Sequence, residues 1–206
     1  MKRLPLLVLL VAHISTTLSQ DRVLWGVTGD IVWSKPLVSD LGNIGYSVPW
    51  KTSASIGGIL RLPLEGHWFF EFAPSFIRMN AEVRETIDPW VFEISARADY
   101  LELPVYVGVG ADEGPFSLFV FTGPSLAYKL AERWDIGFAA GPPPPFYARY
   151  DVAMHIGGGT SIQLLHGLSV LIQARYAFGL NQTNADGSGQ MHSSGIRLGT
   201  GLLFNP

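Results

Sequence analysis

The chain has 206 residues, of which 48% are hydrophobic, 15% are charged and none is cysteine. This length fits one domain, the mean hydropathy of +0.24 is high for a soluble protein, and the lack of cysteine excludes disulfides and thiol chemistry. The formal net charge of −3 argues against a nucleic-acid partner, which would need a basic surface to neutralise phosphates.

The amino terminus has the pattern of a secretory signal peptide. Lys2 and Arg3 precede a short apolar stretch, and small residues lead up to an expected cleavage site after Ser19. A retained membrane anchor is the weaker alternative, because the apolar stretch is too short to span a bilayer core of about 30 Å. We expect residues 1–19 to be removed and residues 20–206 to form one barrel domain.

After this segment, apolar and polar residues alternate with the period of two that is typical of β-strands. Residues 152–174 lack charged side chains, but their glycines and polar residues argue against a membrane helix, whereas alternation divides them into one apolar and one polar face. The predicted strands cover about residues 23–34, 54–64, 67–79, 100–109, 116–129, 151–164, 168–181 and 193–204.

Charged residues of the predicted strands lie on the face opposite the hydrophobic residues, with the exception of Arg78 near a strand end. A charge that faces lipid near the bilayer centre costs about 2–4 kcal/mol, whereas one that faces the lumen costs little. The inward charges balance, which predicts paired groups in a closed lumen with a structural role. This predicted polar network comprises Asp30, Arg61, Glu71, Glu102, Lys129, Asp151, Arg175 and Arg197.

The connections between predicted strands alternate in length, at 19, 2, 20, 6, 21, 3 and 11 residues. Outer-membrane barrels have short periplasmic turns and long external loops, so this alternation places both termini on the periplasmic side. Tight turns are predicted at Gly66 and Gly167, where positive φ is needed. Pro74, Pro104 and Pro124 each predict a local break in the hydrogen-bond ladder.

Outward aromatic residues near the strand ends predict two interfacial girdles. The periplasmic girdle would contain Trp25, Trp68, Phe116 and Phe204, and the outer one Trp33, Phe76, Tyr128 and Phe178. Together these patterns predict an all-β fold, an eight-stranded antiparallel up-and-down transmembrane β-barrel of the bacterial outer membrane. A soluble lipocalin-like barrel is the alternative, but its outer face should carry charges.

The sequence offers little for catalysis. His155 and Asp151 share a strand face, but four residues of strand separate them by about 13 Å. A hydrolase that uses Ser125 or Ser161 with His155 is conceivable, yet the sequence contains no nucleophile elbow, metal-ligand cluster or phosphate-binding glycine loop. We therefore expect no enzymatic activity, no cofactor and no metal site.

Four short segments resemble motifs of the PorT-like outer-membrane β-barrel family, which is common in Bacteroidetes. The resemblance implies a small barrel of the Bacteroidetes outer membrane, in a family where some relatives assist the secretion of other proteins. The chain departs from the family pattern at Gln173, because the pattern has an acidic residue at this position. The segments are Gly26-Val27-Thr28-Gly29, Tyr100-Leu101-Glu102-Leu103-Pro104, Gly123-Pro124-Ser125-Leu126-Ala127-Tyr128, and Arg175-Tyr176 followed by Gly179-Leu180.

Taken together, the sequence predicts a monomeric, lipid-embedded protein with a structural, adhesive or accessory role, and the resemblance implies an association with secretion. Extracellular loops would provide its protein contacts, and residues 80–99 are the candidate contact loop because they combine charges with Trp90 and Phe92. A small ligand held at the extracellular mouth is an alternative. A narrow pore is less favoured, because inward aromatic side chains should fill the lumen: Phe69, Tyr100, Tyr106, Phe119 and Phe121.

Overall fold

The computed structural model of the chain describes residues 23–39, 46–47, 49–87, 90–136, 149–180 and 190–205. Almost all of this part is extended. Its strands are β1 Leu24–Ser39, β2 Tyr46–Ser47, β3 Lys51–Pro63, β4 Trp68–Phe72, β5 Ser75–Ile87, β6 Trp90–Glu113, β7 Phe116–Ile136, β8 Tyr150–Leu165, β9 Leu168–Gly179 and β10 Gln190–Phe204.

The sheet closes on itself, because β1 pairs with both β3 and β10 and every pairing is antiparallel. β4 and β5 form one wall strand, since the register of β3 against them continues unbroken from Leu60 opposite Phe72 to Gly57 opposite Ser75. The short β2 pairs with the outer part of β5. The ring therefore has eight wall strands, and the predicted eight-stranded barrel is confirmed.

Each of the three prolines predicted to break the ladder lies beside an interruption, as expected for a residue without a backbone donor. Pro74 separates β4 from β5, and its carbonyl accepts a hydrogen bond of 2.9 Å from the Gly58 amide across the gap. Between β6 and β7, pairing lapses at Val105 and Tyr106, next to Pro104 and opposite Pro124. A further irregularity of this ladder, at Asp99 in the outer half of β6, was not predicted.

One end of the barrel carries the tight turns together with both chain ends of the described barrel. Residues 64–67, 114–115 and 166–167 connect the strands there. Gly66, Gly114 and Gly167 have φ of 76°, 63° and 82°, so the positive φ predicted at Gly66 and Gly167 is confirmed. The middle turn is shorter than predicted, because β6 and β7 continue pairing as far as Glu113 opposite Phe116.

At the opposite end, the predicted loop over residues 80–99 is wrong. β5 and β6 remain paired as far as Ile87 opposite Trp90, so these residues form a β-hairpin with only residues 88–89 between its strands. β7 likewise continues to Ile136. The sequence did not predict this extension because water bathes both faces of a strand outside the membrane, and the apolar face that marks a wall strand disappears.

The outer surface of the barrel is apolar, and the lumen is filled with side chains. Val107 and Ile172 are 46% and 50% exposed, whereas Tyr100 and Tyr106 are at most 1% exposed. Trp25 and Phe204 lie 4.8 Å apart between ring centroids at the periplasmic end, within the predicted girdle. A soluble barrel would instead have a polar outer surface in contact with water. The described residues include no helix that is long and apolar enough to cross a membrane.

Glycines make room for the aromatic rings that fill the periplasmic half of the lumen. In each of three cross-strand pairs, an inward phenylalanine lies over an inward glycine of the neighbouring strand, where a Cβ would collide with the ring. The rings then pack with Ile59, Tyr106, Leu171 and Leu203 into an apolar plug. The three pairs are Phe69 with Gly108, Phe119 with Gly159 and Phe121 with Gly157.

Candidate functional site: a polar layer across the barrel lumen

A layer of polar side chains crosses the lumen above the apolar plug. Its first centre is the ion pair of Arg175 on β9 with Asp30 on β1, in which a guanidinium nitrogen lies 2.5 Å from the carboxylate. Ser55 on β3 donates a hydrogen bond of 2.5 Å to the same carboxylate oxygen. All three side chains are buried, so the pair is shielded from water and depends on its partners for charge compensation.

The second centre is Glu102 on β6, which receives both terminal nitrogens of the Arg197 guanidinium on β10. One of these hydrogen bonds measures 3.0 Å, to Oε1 of Glu102. Ser75 on β5 approaches the other carboxylate oxygen at 3.5 Å. A bidentate guanidinium–carboxylate pair has a fixed relative orientation, so it holds β6 and β10 in register across the lumen.

His155 on β8 joins the two centres. Its Nδ1 lies 2.8 Å from the Tyr106 hydroxyl, which also accepts a hydrogen bond of 3.2 Å from Arg175. Its Nε2 lies 3.3 Å from Glu102 and 3.0 Å from the Ser125 hydroxyl of β7. The network consequently reaches every one of the eight wall strands, with Ser75 as its weakest connection.

A separate ion pair lies nearer the periplasm. The Nε of Arg61 donates a hydrogen bond of 2.8 Å to Glu71, and its guanidinium carbon lies 4.3 Å from the ring centroids of Phe69 and Phe119. This geometry combines an ion pair with two cation–π contacts. Arg61 therefore covers the periplasmic side of the apolar plug.

The structure thus brings six of the eight predicted network residues into two layers, with Asp30, Arg175, Glu102 and Arg197 in one and Arg61 and Glu71 in the other. Lys129 lies farther out and pairs with Glu132. Asp151 is buried in the wall of a small cavity that Glu102 and Arg197 also line. Lys129 and Asp151 therefore lie nearer the extracellular end than the six.

Sequence reasoning missed the polar connectors of this network. It assigned Tyr106 as a filling aromatic, and it compared His155 with Asp151 rather than with Tyr106 and Glu102. Strand alternation could have identified these side chains as inward facing, since Tyr106, Ser125 and His155 share the faces of the charged residues. Sequence reasoning considered Ser125 together with His155, but it could not have identified Tyr106 and Glu102 as their neighbours, because that depends on the register between strands.

The arrangement of Ser125, His155 and Glu102 differs from a catalytic triad. In a triad the nucleophile and the acid contact different nitrogens of the histidine, so that the acid orients the base. Here Ser125 and Glu102 both lie against Nε2, and Tyr106 occupies Nδ1. All four side chains are at most 3% exposed. The geometry favours mutual hydrogen bonding over attack on a substrate.

Two spaces adjoin the polar layer and the plug. On the extracellular side, a cavity of about 20 Å³ lies beside Glu102, Ser125 and Asp151, which is room for about one water molecule. At the periplasmic mouth, a vestibule of about 500 Å³ is lined by Arg61, Asp112 and several neutral polar residues. Within the described residues, no group of three or more histidine, aspartate or glutamate side chains is placed to hold a metal ion.

A closed ring of strands with an apolar exterior, aromatic ends and a charged interior defines an integral outer-membrane β-barrel. The chain belongs to the family described as the outer membrane protein beta-barrel domain, whose model matches residues 19–184. The protein is accordingly located in the bacterial outer membrane. A search of curated protein sequences gives no significant match.

Solved structures with the same fold include two outer-membrane barrels. Neisserial surface protein A matches with a TM-score of 0.50 and 12% identity, over 88% of this chain and 97% of that protein. OprG of Pseudomonas aeruginosa matches with a TM-score of 0.56 and 12% identity, over 90% of this chain and 97% of that protein. At this identity the similarity shows the fold alone.

Proposed function

We propose that this protein is a closed, non-enzymatic barrel that anchors an extramembrane surface with a structural or accessory role. The observation that carries the proposal is the polar layer, whose hydrogen bonds connect all eight wall strands across the lumen. An eight-stranded barrel has an interior only about wide enough for side chains, and here charged and aromatic groups occupy it. Contacts with other molecules are therefore made by the part of the barrel that extends beyond the membrane.

The outer parts of β5, β6 and β7 supply this surface in place of the predicted loop. They form a sheet that continues beyond the lipid-facing residues, with the hairpin of β5 and β6 at its tip. A rigid sheet suits an accessory contact, because less conformational entropy is lost on binding than with a disordered loop. Assignment to the PorT-like group, and with it a role in secretion, rests on the sequence motifs.

Absence of catalysis is part of the proposal. It is supported by the burial of Ser125 and by the shared contact of Ser125 and Glu102 with one nitrogen of His155. A fluorophosphonate probe, which labels activated serines, is expected to leave the refolded protein unlabelled. Stoichiometric labelling that is lost in Ser125→Ala would contradict the proposal.

Planar-bilayer recording tests closure of the lumen. Residues 20–206, refolded and inserted from detergent, are expected to give no reproducible open channel. An open porin in the same bilayers serves as the control and gives stepwise increases in ionic current. Insertion is verified by the shifted mobility of the folded form on unheated SDS gels. Steps of constant amplitude in independent preparations would contradict closure and favour the narrow-pore alternative.

Site-specific photo-crosslinking tests the accessory role. A photoreactive residue at Ser95, which is partly exposed on the outer part of β6 beyond Arg97, is compared with one at Val109 on the lipid-facing wall. We expect discrete protein adducts in cells from position 95 and lipid adducts alone from position 109. Lipid adducts alone from both positions would contradict an accessory role and favour a mouth that binds a small ligand.

A further inference from the structure

A row of apolar and aromatic side chains marks the outer boundary of the lipid-facing wall on β5 to β8. Phe76, Leu101, Tyr128 and Tyr150 follow one another across these four strands in register. Tyr128 and Tyr150 have ring centroids 5.4 Å apart. Aromatic side chains of this kind lie at the level where hydrocarbon meets headgroups.

Four exposed arginines lie around and above this row, and we refer to Arg78, Arg97, Arg133 and Arg149 as the basic collar. Two described acids share this strand face above the row. Arg78 binds Asp99 with hydrogen bonds of 2.8 and 3.4 Å, and Glu82 is buried in an ion pair with Lys51. Neither acid compensates Arg97, Arg133 or Arg149 through a described ion pair.

Arg97 and Arg133 face each other directly across the ladder of β6 and β7. Cβ atoms of such a pair are about 5 Å apart, and like charges at this position destabilise a sheet. Neither guanidinium takes part in an ion pair with the residues that the structure describes. Two guanidinium groups side by side form a strong site for a phosphate, which accepts several of their N–H groups at once.

Arg149 strengthens this side of the collar. Its guanidinium donates a hydrogen bond of 2.8 Å to the Tyr128 hydroxyl and lies 5.4 Å from the centroid of that ring. The contact holds a third cation at the edge of the lipid-facing row. An anion bound here would consequently have cations above it and apolar side chains below it.

The position of Arg97 and Arg133 along the membrane normal points to a lipid as the source of the phosphate. Arg97 is four residues beyond Leu101 on the same strand face, which is about 13 Å along the strand and about 9 Å in height at a tilt of about 45°. The long arginine side chains can reach back toward the membrane. Their guanidinium groups then lie in the headgroup layer, with a wall suited to acyl chains directly beneath.

We propose that Arg97 and Arg133, flanked by Arg149, bind the phosphate of a phosphorylated outer-leaflet lipid whose acyl chains lie on Leu101 and Tyr128. This inference goes beyond the proposed accessory role and is independent of it. The lipid relieves the repulsion between the two arginines and fixes the outer part of the β6–β7 ladder at the membrane surface.

The test titrates the refolded full chain, in neutral detergent, with diphosphoryl lipid A and counts bound lipid by native mass spectrometry. We expect the double variant Arg97→Gln/Arg133→Gln to lower the affinity by at least about tenfold, since it removes charge-assisted hydrogen bonds. Each single variant should lie between the double variant and the wild type. The matched control is Lys35→Gln, which removes a cation beside Trp50 on the opposite side of the barrel and should change nothing.

Three further ligands separate the lipid phosphate from other anions. Dephosphorylated lipid A should bind the wild type at least about tenfold more weakly, and inorganic phosphate and heparin should both bind more weakly than lipid A. Equal binding of dephosphorylated lipid A, or equal binding by the double variant, would overturn the proposal. Inorganic phosphate or heparin binding as tightly as lipid A would also overturn it, in favour of a free anion or a polysaccharide.

A stability measurement keeps the proposal testable if a variant folds poorly. In lipid-free neutral detergent, Arg133→Gln should raise the melting temperature, because it removes the repulsion from Arg97. With diphosphoryl lipid A present, the order should reverse, since only the wild type gains stability from the ligand. The same order under both conditions would overturn the proposal.

Discussion

The ion pair of Asp30 with Arg175 allows a quantitative test of the polar layer. Replacement of Arg175 by methionine removes the 2.5 Å contact and the 3.2 Å hydrogen bond to Tyr106, while the carboxylate of Asp30 stays buried with Ser55 as its remaining partner. Loss of one member of a buried pair costs about 3–5 kcal/mol, because the other charge is left uncompensated. We therefore expect Arg175→Met to be among the most destabilising single changes in the barrel.

The double variant Asp30→Asn/Arg175→Met isolates the contribution of the Asp30–Arg175 interaction from the contributions that each residue makes separately. It leaves no unpaired charge, so it should be more stable than Arg175→Met by about 2–3 kcal/mol. The matched control is Arg78→Met, which breaks the exposed pair with Asp99 and should leave stability unchanged.

Urea unfolding of the refolded protein in lipid vesicles, followed by tryptophan fluorescence, measures these changes. For an m-value of about 2 kcal/mol/M, the loss expected for Arg175→Met lowers the midpoint by roughly 2 M. Equal midpoints for Arg175→Met and Arg78→Met would refute the reasoning. So would a double variant that is less stable than both single variants, because the carboxylate and guanidinium would then contribute independently.

Two further predictions concern the inner and outer faces of the barrel. Gly199→Ala should destabilise the protein by about 1–3 kcal/mol in the same urea assay, since its Cβ would overlap the carboxylate of Asp30. The chain lacks cysteine, so nitroxide labels at Val107→Cys and Ile172→Cys report on single sites, and both should be accessible to oxygen in lipid but not to a water-soluble nickel chelate.

Each of these predictions has its own control. Gly29→Ala should be neutral, because its Cβ would face outward with the Ser55 carbonyl oxygen at 3.8 Å as its nearest contact. A label at Val32→Cys, which lies in the lumen and is 1% exposed, should be poorly accessible to both reagents. Strong broadening by the nickel chelate at position 107 or 172 would contradict the membrane-facing assignment, and a stable Gly199→Ala would contradict the packing around Asp30.

The sequence by itself determined which side chains face lipid and which face the lumen. A strand alternates its faces, and a charge on the lipid side is costly, so the inward positions of Asp30, Glu102 and Arg175 follow from the alternation of hydrophobic residues alone. The turns at Gly66 and Gly167 were equally predictable, because a tight hairpin needs positive φ.

Only the tertiary structure decided which inward groups meet. Asp30 and Arg175 are 145 residues apart in the chain, and Tyr106 and His155 are 49 apart. Their contacts depend on the closure of the ring and on the relative offset of its strands, which alternation within one strand does not specify. The outer sheet of β5 to β7 also required the structure, because the membrane that imposes an apolar face on the strands ends below it.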